Sequence, residues 1–462
     1  MGRDGAMGGR AVGVLTAVRP GEWAALLLSG GFFFLLLFGY FLLRPVREAM
    51  GVERSMGDLR WLFGVTCVAS LGAAVLFGGL VSRLDRARFI AWAFRGVVAC
   101  VVAFAAVRVG FGDLFDGGVK LWSGYVFYVW LSVVNVFMTS VFWAFMADVW
   151  RLEQGKRLYA AIGVGGTIGA LLGSTFAWQW VEVIGAPVQM LIAAVLFEGA
   201  VWVMRALDRR SSGGAGGLVR HEKHAMGGSW VEGVRAVARS PYLLGVGAYI
   251  VLMAVSSTLI YFTQAELVSD AEDELTSRIA LFGQLDMWTQ AATLFVQLFI
   301  TGQLMKRAGV GVTLGVLPVV TVLGFAALAL VGSREGVEAW QVFAVFAAFN
   351  AIHRATRYAV ARPARETLFS VVSEREKYKA KPVVDVFLYR GGDVAGVGVS
   401  AGLGALALGL GGMAMAAAPL GVVWVIVSFF LARGQSWRAS QVRAQESETE
   451  STTGATPEGV VA

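Results

Sequence analysis

Apolar runs long enough to cross a bilayer recur from Gly21 to Ala432, and this repetition constrains the fold more than any other feature. The hydrocarbon core offers no water to a free backbone amide. A chain that crosses it many times therefore does so as helices whose hydrogen bonds close within each segment. A window of about 20 residues marks about twelve spans, near 22–44, 59–82, 88–109, 121–147, 158–182, 185–206, 241–264, 277–304, 310–332, 338–361, 382–410 and 413–432. The expected fold class is an all-α polytopic membrane protein with twelve transmembrane helices.

Composition agrees and excludes other classes. The 462 residues are 57% hydrophobic and only 15% charged, less charge than a soluble chain of this length carries. The 59 glycines suit close helix contacts in lipid, where small residues let backbones approach. Cys67 and Cys100 lie in apolar runs, and two of the three histidines, His221 and His224, sit in one loop. Neither a disulfide framework nor a metal centre is indicated. The net charge of +7 reads as loop charge that orients helices rather than as a nucleic-acid surface. No glycine loop ends in Lys-Ser/Thr, so ATP hydrolysis is not indicated, and no catalytic residue or cofactor is expected. Arg3, Arg10 and Arg19 precede a long apolar run that reads as an uncleaved first helix.

The polar stretch Asp208–Ser240, with its Ser/Gly tract, splits the helices six and six. The expected domains are an N-terminal bundle over 1–207, a cytoplasmic linker over 208–240, a C-terminal bundle over 241–433 and a disordered tail over 434–462. Roughly 27 of the 39 basic residues then fall on one side, which places both termini in the cytoplasm of a cell (inner) membrane protein. Six plus six helices around a long inner loop resembles the major facilitator superfamily. The segment Gly79–Arg88, with Asp85 and Arg86, resembles that superfamily's signature loop, which locks the inner side shut by charge pairing. A plain cluster of orienting charges is the competing reading of that loop.

The halves also echo each other. Asp148, then Gln154–Arg157, then Gly163–Gly169 in the first half matches Glu366, then Glu376–Lys379, then Arg390–Gly396 in the second. Two related halves leave such a pattern. A pentapeptide recurs as well: Arg44-Pro45-Val46-Arg47-Glu48 closes the first span and Arg362-Pro363-Ala364-Arg365-Glu366 closes the tenth. Charges beside lipid are expensive and usually functional, although proline can simply end a helix and arginine can snorkel to the interface.

Span ten is the most charged helix. Asn350, Arg354 and Arg357 are spaced i, i+4, i+7 on one face and should meet a wet cavity or acids such as Asp385 or Asp393. The planar guanidinium fork suits phosphate or carboxylate. Arg44, Arg47, Asn350, Arg354, Arg357 and Arg365 are therefore candidates for binding a small anionic solute. Glu48, Asp85, Arg86, Asp148, Asp286, Glu366, Asp385, Arg390 and Asp393 are candidates for gating or coupling. Asp286 is the most deeply placed acid and serves equally as a proton carrier or an arginine partner. Asp385, Arg390 and Asp393 could form a local ion network. Tyr40 and Tyr261 could stack on a base, with packing the blander alternative.

Phe38–Glu48, with Tyr40, Arg44 and Arg47, resembles the first-helix motif of the non-mitochondrial ATP:ADP antiporter family, the NTP/NDP exchange transporters. Arg362–Glu366, with Glu374–Lys381 and Asp385, resembles that family's second motif and the lysine-rich loop after it. The resemblance implies twelve helices, a facilitator-like fold and nucleotide exchange. It places Arg47 and Arg365 where the family has phosphate-contacting lysines, and Asp148 where it has a glutamate. The chain departs from the pattern in having arginine for both lysines, Pro45 for an aspartate and no acid beside Tyr261. Three readings follow: alternating-access transport of an anionic, phosphorylated solute; proton-coupled transport of an uncharged or drug-like molecule; and a non-transporting membrane scaffold or sensor.

Overall fold

The structure is a computed structural model and describes residues 18–19, 21–81, 86–110, 117–212, 230–373, 376, 380–406 and 408–453. Asp85, most of the Ser/Gly-rich linker and Lys377–Lys379 lie outside the described residues, as does the side chain of Arg86. The described residues form helices throughout: α1 (Trp23–Gly51), α2 (Met56–Val81), α3 (Arg86–Gly110), α4 (Gly117–Val149), α5 (Leu152–Ser212), α6 (Trp230–Arg239), α7 (Pro241–Ala271), α8 (Leu275–Phe295), α9 (Thr301–Gly332), α10 (Ala339–Ala355), α11 (Arg362–Thr367), α12 (Tyr389–Ala405) and α13 (Leu410–Thr453). Seven of them are long and apolar enough to cross a membrane. The protein is a multi-pass, all-helical membrane protein.

Two corners are made by glycine. Gly185 in α5 has φ 75° and Gly309 in α9 has φ 72°, left-handed values that cost a residue with a Cβ. Each turns one continuous apolar stretch into two helical arms. π-helical turns interrupt three other places, at Val296–Ile300, Thr356–Ala361 and Val383–Leu388. Such turns occur where an extra residue is accommodated without ending the helix.

Contacts divide the chain into two compact units. One contains α1 to α5, the end of α7 from Ile260, α8, and α10 from Phe343. Its core is glycine-tight. A Cβ on Gly169 would lie 2.3 Å from the carbonyl oxygen of Phe34, and one on Gly173 would lie 2.5 Å from that of Phe38. Gly165 is as close-set, with a Cβ 2.9 Å from the Gly30 oxygen. The four-residue spacing of these glycines strips one face of α5 of side chains, so its backbone meets that of α1 directly. Phe33 stacks on Phe142 of α4 at 4.2 Å between ring centres, and Phe32 sits 5.2 Å from the same ring.

The other unit holds α6, the first part of α7, α9, α11, α12 and α13. Tyr249, Leu317, Phe369 and Trp424 are fully buried in its core. Its glycine-rich helix repeats the role of α5: a Cβ on Gly392 of α12 would lie 3.0 Å from the Val251 oxygen of α7.

Helix also extends beyond the apolar spans, at two places. The final helix runs to Thr453, well into the stretch read as a disordered tail. Arginine, glutamine and glutamate are good helix formers, and a preceding apolar helix supplies the nucleus that an isolated segment lacks. Part of the polar linker also folds, as α6.

Candidate functional site

The first pentapeptide does not end its helix. Pro45 lies inside α1, and Arg44, Pro45, Val46 and Glu48 are buried there. Proline removes one backbone hydrogen bond at this point. The guanidinium and carboxylate groups are held by the first unit's other helices. Arg44 Nη1 donates to Asp286 Oδ1 of α8 at 2.7 Å, and its Nε lies 3.6 Å from Glu48 Oε1. Arg354 Nη1 of α10 donates to the same Asp286 oxygen at 3.1 Å. Arg47 pairs with Glu48 and donates to Ser132 Oγ of α4 at 3.0 Å. Tyr261 of α7 donates to Glu48 Oε2 at 2.6 Å, and its hydroxyl lies 2.7 Å from that of Tyr128. Arg47 also lies over the Tyr128 ring at 5.1 Å.

The cluster joins α1, α4, α7, α8 and α10 through charge. Asp286 is 1% exposed and Glu48 2%, so little water screens either carboxylate. Three guanidiniums against two carboxylates leave one positive charge in excess within this cluster. Buried pairs are a weak source of stability, because desolvation offsets their attraction. Five helices converging on them point to binding or switching.

The second pentapeptide is built differently. A π-helical turn runs directly into it, and Pro363 is the second residue of α11. Arg362 and Glu366 are exposed. Arg365 lies 3.5 Å from Asp385 and 3.8 Å from its neighbour Glu366, which also pairs with Lys381. Arg357 bonds the Tyr389 hydroxyl and lies over the rings of Tyr358 and Tyr389 at 5.4 and 5.8 Å. Arg390 Nη1 donates to Asp393 Oδ2 at 3.0 Å, and Thr258 Oγ1 donates to Asp393 Oδ1 at 3.4 Å.

Among the expected site residues, the structure therefore gathers Arg44, Arg47, Glu48, Asp286 and Arg354 in one unit. It gathers Arg357, Arg390 and Asp393, and separately Arg365, Glu366 and Asp385, in the other. Arg354 and Arg357, expected on one face, fall in different units, and a π-helical turn begins between them at Thr356. Asn350 donates to Gln264 of α7 at 3.5 Å. Asp148 is exposed near the end of α4.

Sequence reasoning did not single out Tyr128 and Ser132, and it weighed Tyr261 only for stacking. The available signal was the i, i+4 spacing of Tyr128 and Ser132, which puts both hydroxyls on one side of α4. Tyr261→Phe should lower the thermal midpoint in detergent, because a hydrogen bond to a charged group contributes about 1.5–3 kcal/mol. An unchanged midpoint would mean that Glu48 is held by Arg47 and Arg44 alone.

Known proteins are similar to this chain. A family model described as TLC ATP/ADP transporter matches residues 117–435. ADP,ATP carrier protein 1 of Chlamydia trachomatis serovar D is 26% identical over 313 residues, covering 61% of this chain and 59% of that protein. The protein of the same name from Chlamydia pneumoniae is 23% identical over 331 residues, covering 63% and 62%. The chain thus spans about six-tenths of the length of the curated relatives it matches. A crystal structure of the nucleoside transporter NupG superposes with a TM-score of 0.60 at 13% identity, covering 90% of this chain and 99% of that one, a likeness of fold. The family model spans well over half of the sequence, from α4 into α13, so the chain belongs to the TLC ATP/ADP transporter family, a family of transporters and not of enzymes.

Proposed function

We propose that the protein is a secondary transporter that moves an anionic, phosphorylated solute by exchange, with nucleotides as the leading candidates. The observation that carries this is the buried cluster of Arg44, Arg47 and Arg354, with charge in excess, inside the helices of a member of an ATP/ADP transporter family. The relatives named ADP,ATP carrier protein support the nucleotide as solute. Guanidinium forks match phosphate oxygens in both geometry and charge.

In this reading the twelve helices form two six-helix bundles of the major facilitator type, over 1–207 and 241–433, joined by a cytoplasmic linker over 208–240. Both termini face the cytoplasm of the cell (inner) membrane. The solute binds among the arginines, and alternating access is gated by ion pairs such as Arg44–Asp286 and Arg365–Asp385. Partners are the solute and the lipid bilayer, with no role for nucleic acid. A coupling proton is not needed where one anion is exchanged for another.

The test is counter-exchange in proteoliposomes. Vesicles loaded with ADP should take up labelled ATP, and empty vesicles should not. Equal uptake with and without internal nucleotide would rule out exchange. No uptake of ATP, ADP or a simpler phosphate ester would rule out the solute class.

A further inference from the structure

Asp286 is the carboxylate that Arg44 and Arg354 share. Its Oδ1 alone receives both guanidiniums, from Arg44 at 2.7 Å and from Arg354 at 3.1 Å. Each arginine gives a single Nη1 to that oxygen, so neither fork is used in its bidentate form. The other carboxylate oxygen, Oδ2, is buried and has no hydrogen-bond partner among the described residues. A carboxylate well fitted to two arginines would use both oxygens. This one makes a serviceable but incomplete match.

We propose that Asp286 is an internal counter-anion, which holds Arg44 and Arg354 in the absence of solute and is displaced from them by a phosphate group of the solute. The inference rests on the reading of the protein as a transporter of phosphorylated anions. A phosphate presents three oxygens and more charge than one carboxylate, so it can take a fork from each arginine. Arg44 keeps a second carboxylate, Glu48, at 3.6 Å when Asp286 leaves. Arg354 is the more accessible of the two, with 14% of its side chain exposed against 8% for Arg44. It is the natural first contact. When solute departs, Asp286 re-forms the bridge, so the arginines are not left bare in a low-dielectric interior. The device lowers apparent affinity by the fraction of time the arginines are occupied, which favours release as well as capture.

Removing the competitor should therefore tighten binding. Asp286→Asn keeps the shape and the carbonyl acceptor but loses the charge. If the bridge is closed nine-tenths of the time, this variant binds ADP about tenfold more tightly than the parent protein in equilibrium binding on purified protein. Its exchange rate in ADP-loaded vesicles should fall, because solute leaves the arginines more slowly. Asp286→Glu, which retains the charge, should bind ADP within a few-fold of the parent. Should Asp286→Asn be too unstable to purify alone, it is prepared in ADP, and its thermal midpoint should rise with ADP more steeply than that of the parent. If the parent exchanges ADP while Asp286→Asn binds it equally or more weakly, the counter-anion inference fails and the transport reading stands. If neither protein binds ADP, ATP or pyrophosphate, both fail.

Discussion

Arg44→Gln is expected to cost about 1.5–3 kcal/mol of stability and to reduce exchange about a hundredfold. Arg44 is buried between two carboxylates, Asp286 at 2.7 Å and Glu48 at 3.6 Å, and lies over the Phe41 ring at 5.6 Å. The substitution leaves Asp286 with Arg354 and Glu48 with Arg47, so both acids keep one partner while the cluster loses its excess charge. What is lost is a charge-assisted hydrogen bond to Asp286 and the attraction to Glu48, while neither acid is left bare. Arg44→Lys should recover part of the stability but little exchange, since an ammonium carries the charge without the fork. Thermal unfolding in detergent and ADP counter-exchange separate these effects. A stable Arg44→Gln protein with normal exchange would remove Arg44 from the site.

Gly169→Val should abolish folded protein. The added Cβ would lie 2.3 Å from the Phe34 carbonyl oxygen, a backbone atom that cannot rotate away. Relief requires α1 and α5 to separate, and Gly165 and Gly173 hold the same seam closed above and below. The loss should exceed about 4–5 kcal/mol, the upper range for single changes. Gly163→Ala is the matched control on the same helix: its Cβ meets Gln297 Nε2 at 3.6 Å, an ordinary contact. Size-exclusion chromatography of detergent extracts should show a monodisperse peak for Gly163→Ala and aggregate for Gly169→Val. A monodisperse Gly169→Val protein would mean that the α1–α5 seam is looser than described.

The helices were legible because lipid allows few alternatives. A segment of apolar residues with no external hydrogen-bond partners must satisfy its own backbone, and length then marks each crossing. Asp286 stood out for a related reason, as a lone acid in an apolar run. Its pairing with Arg44 did not, because the two are 242 residues apart and nothing local points from one to the other. The two pentapeptides look alike in sequence and differ in structure. A π-helical turn at Thr356–Ala361 runs directly into the second, while the first lies within α1. Propensity and periodicity do not register a one-residue widening of a helix, so Arg354 and Arg357 read as one face. Glycine was legible as composition, but its use was not. Only the approach of Phe34, Phe38 and Gly30 separates the obligatory glycines of α5 from Gly163.

Buried guanidiniums that receive phosphate are the centre of this account, and an experimental structure with ADP bound examines them directly. Phosphate oxygens about 3 Å from the Arg44 and Arg354 guanidiniums, with Asp286 moved off both, are the predicted result. ADP bound elsewhere, with the Arg44–Asp286–Arg354 bridge intact beside it, would contradict it.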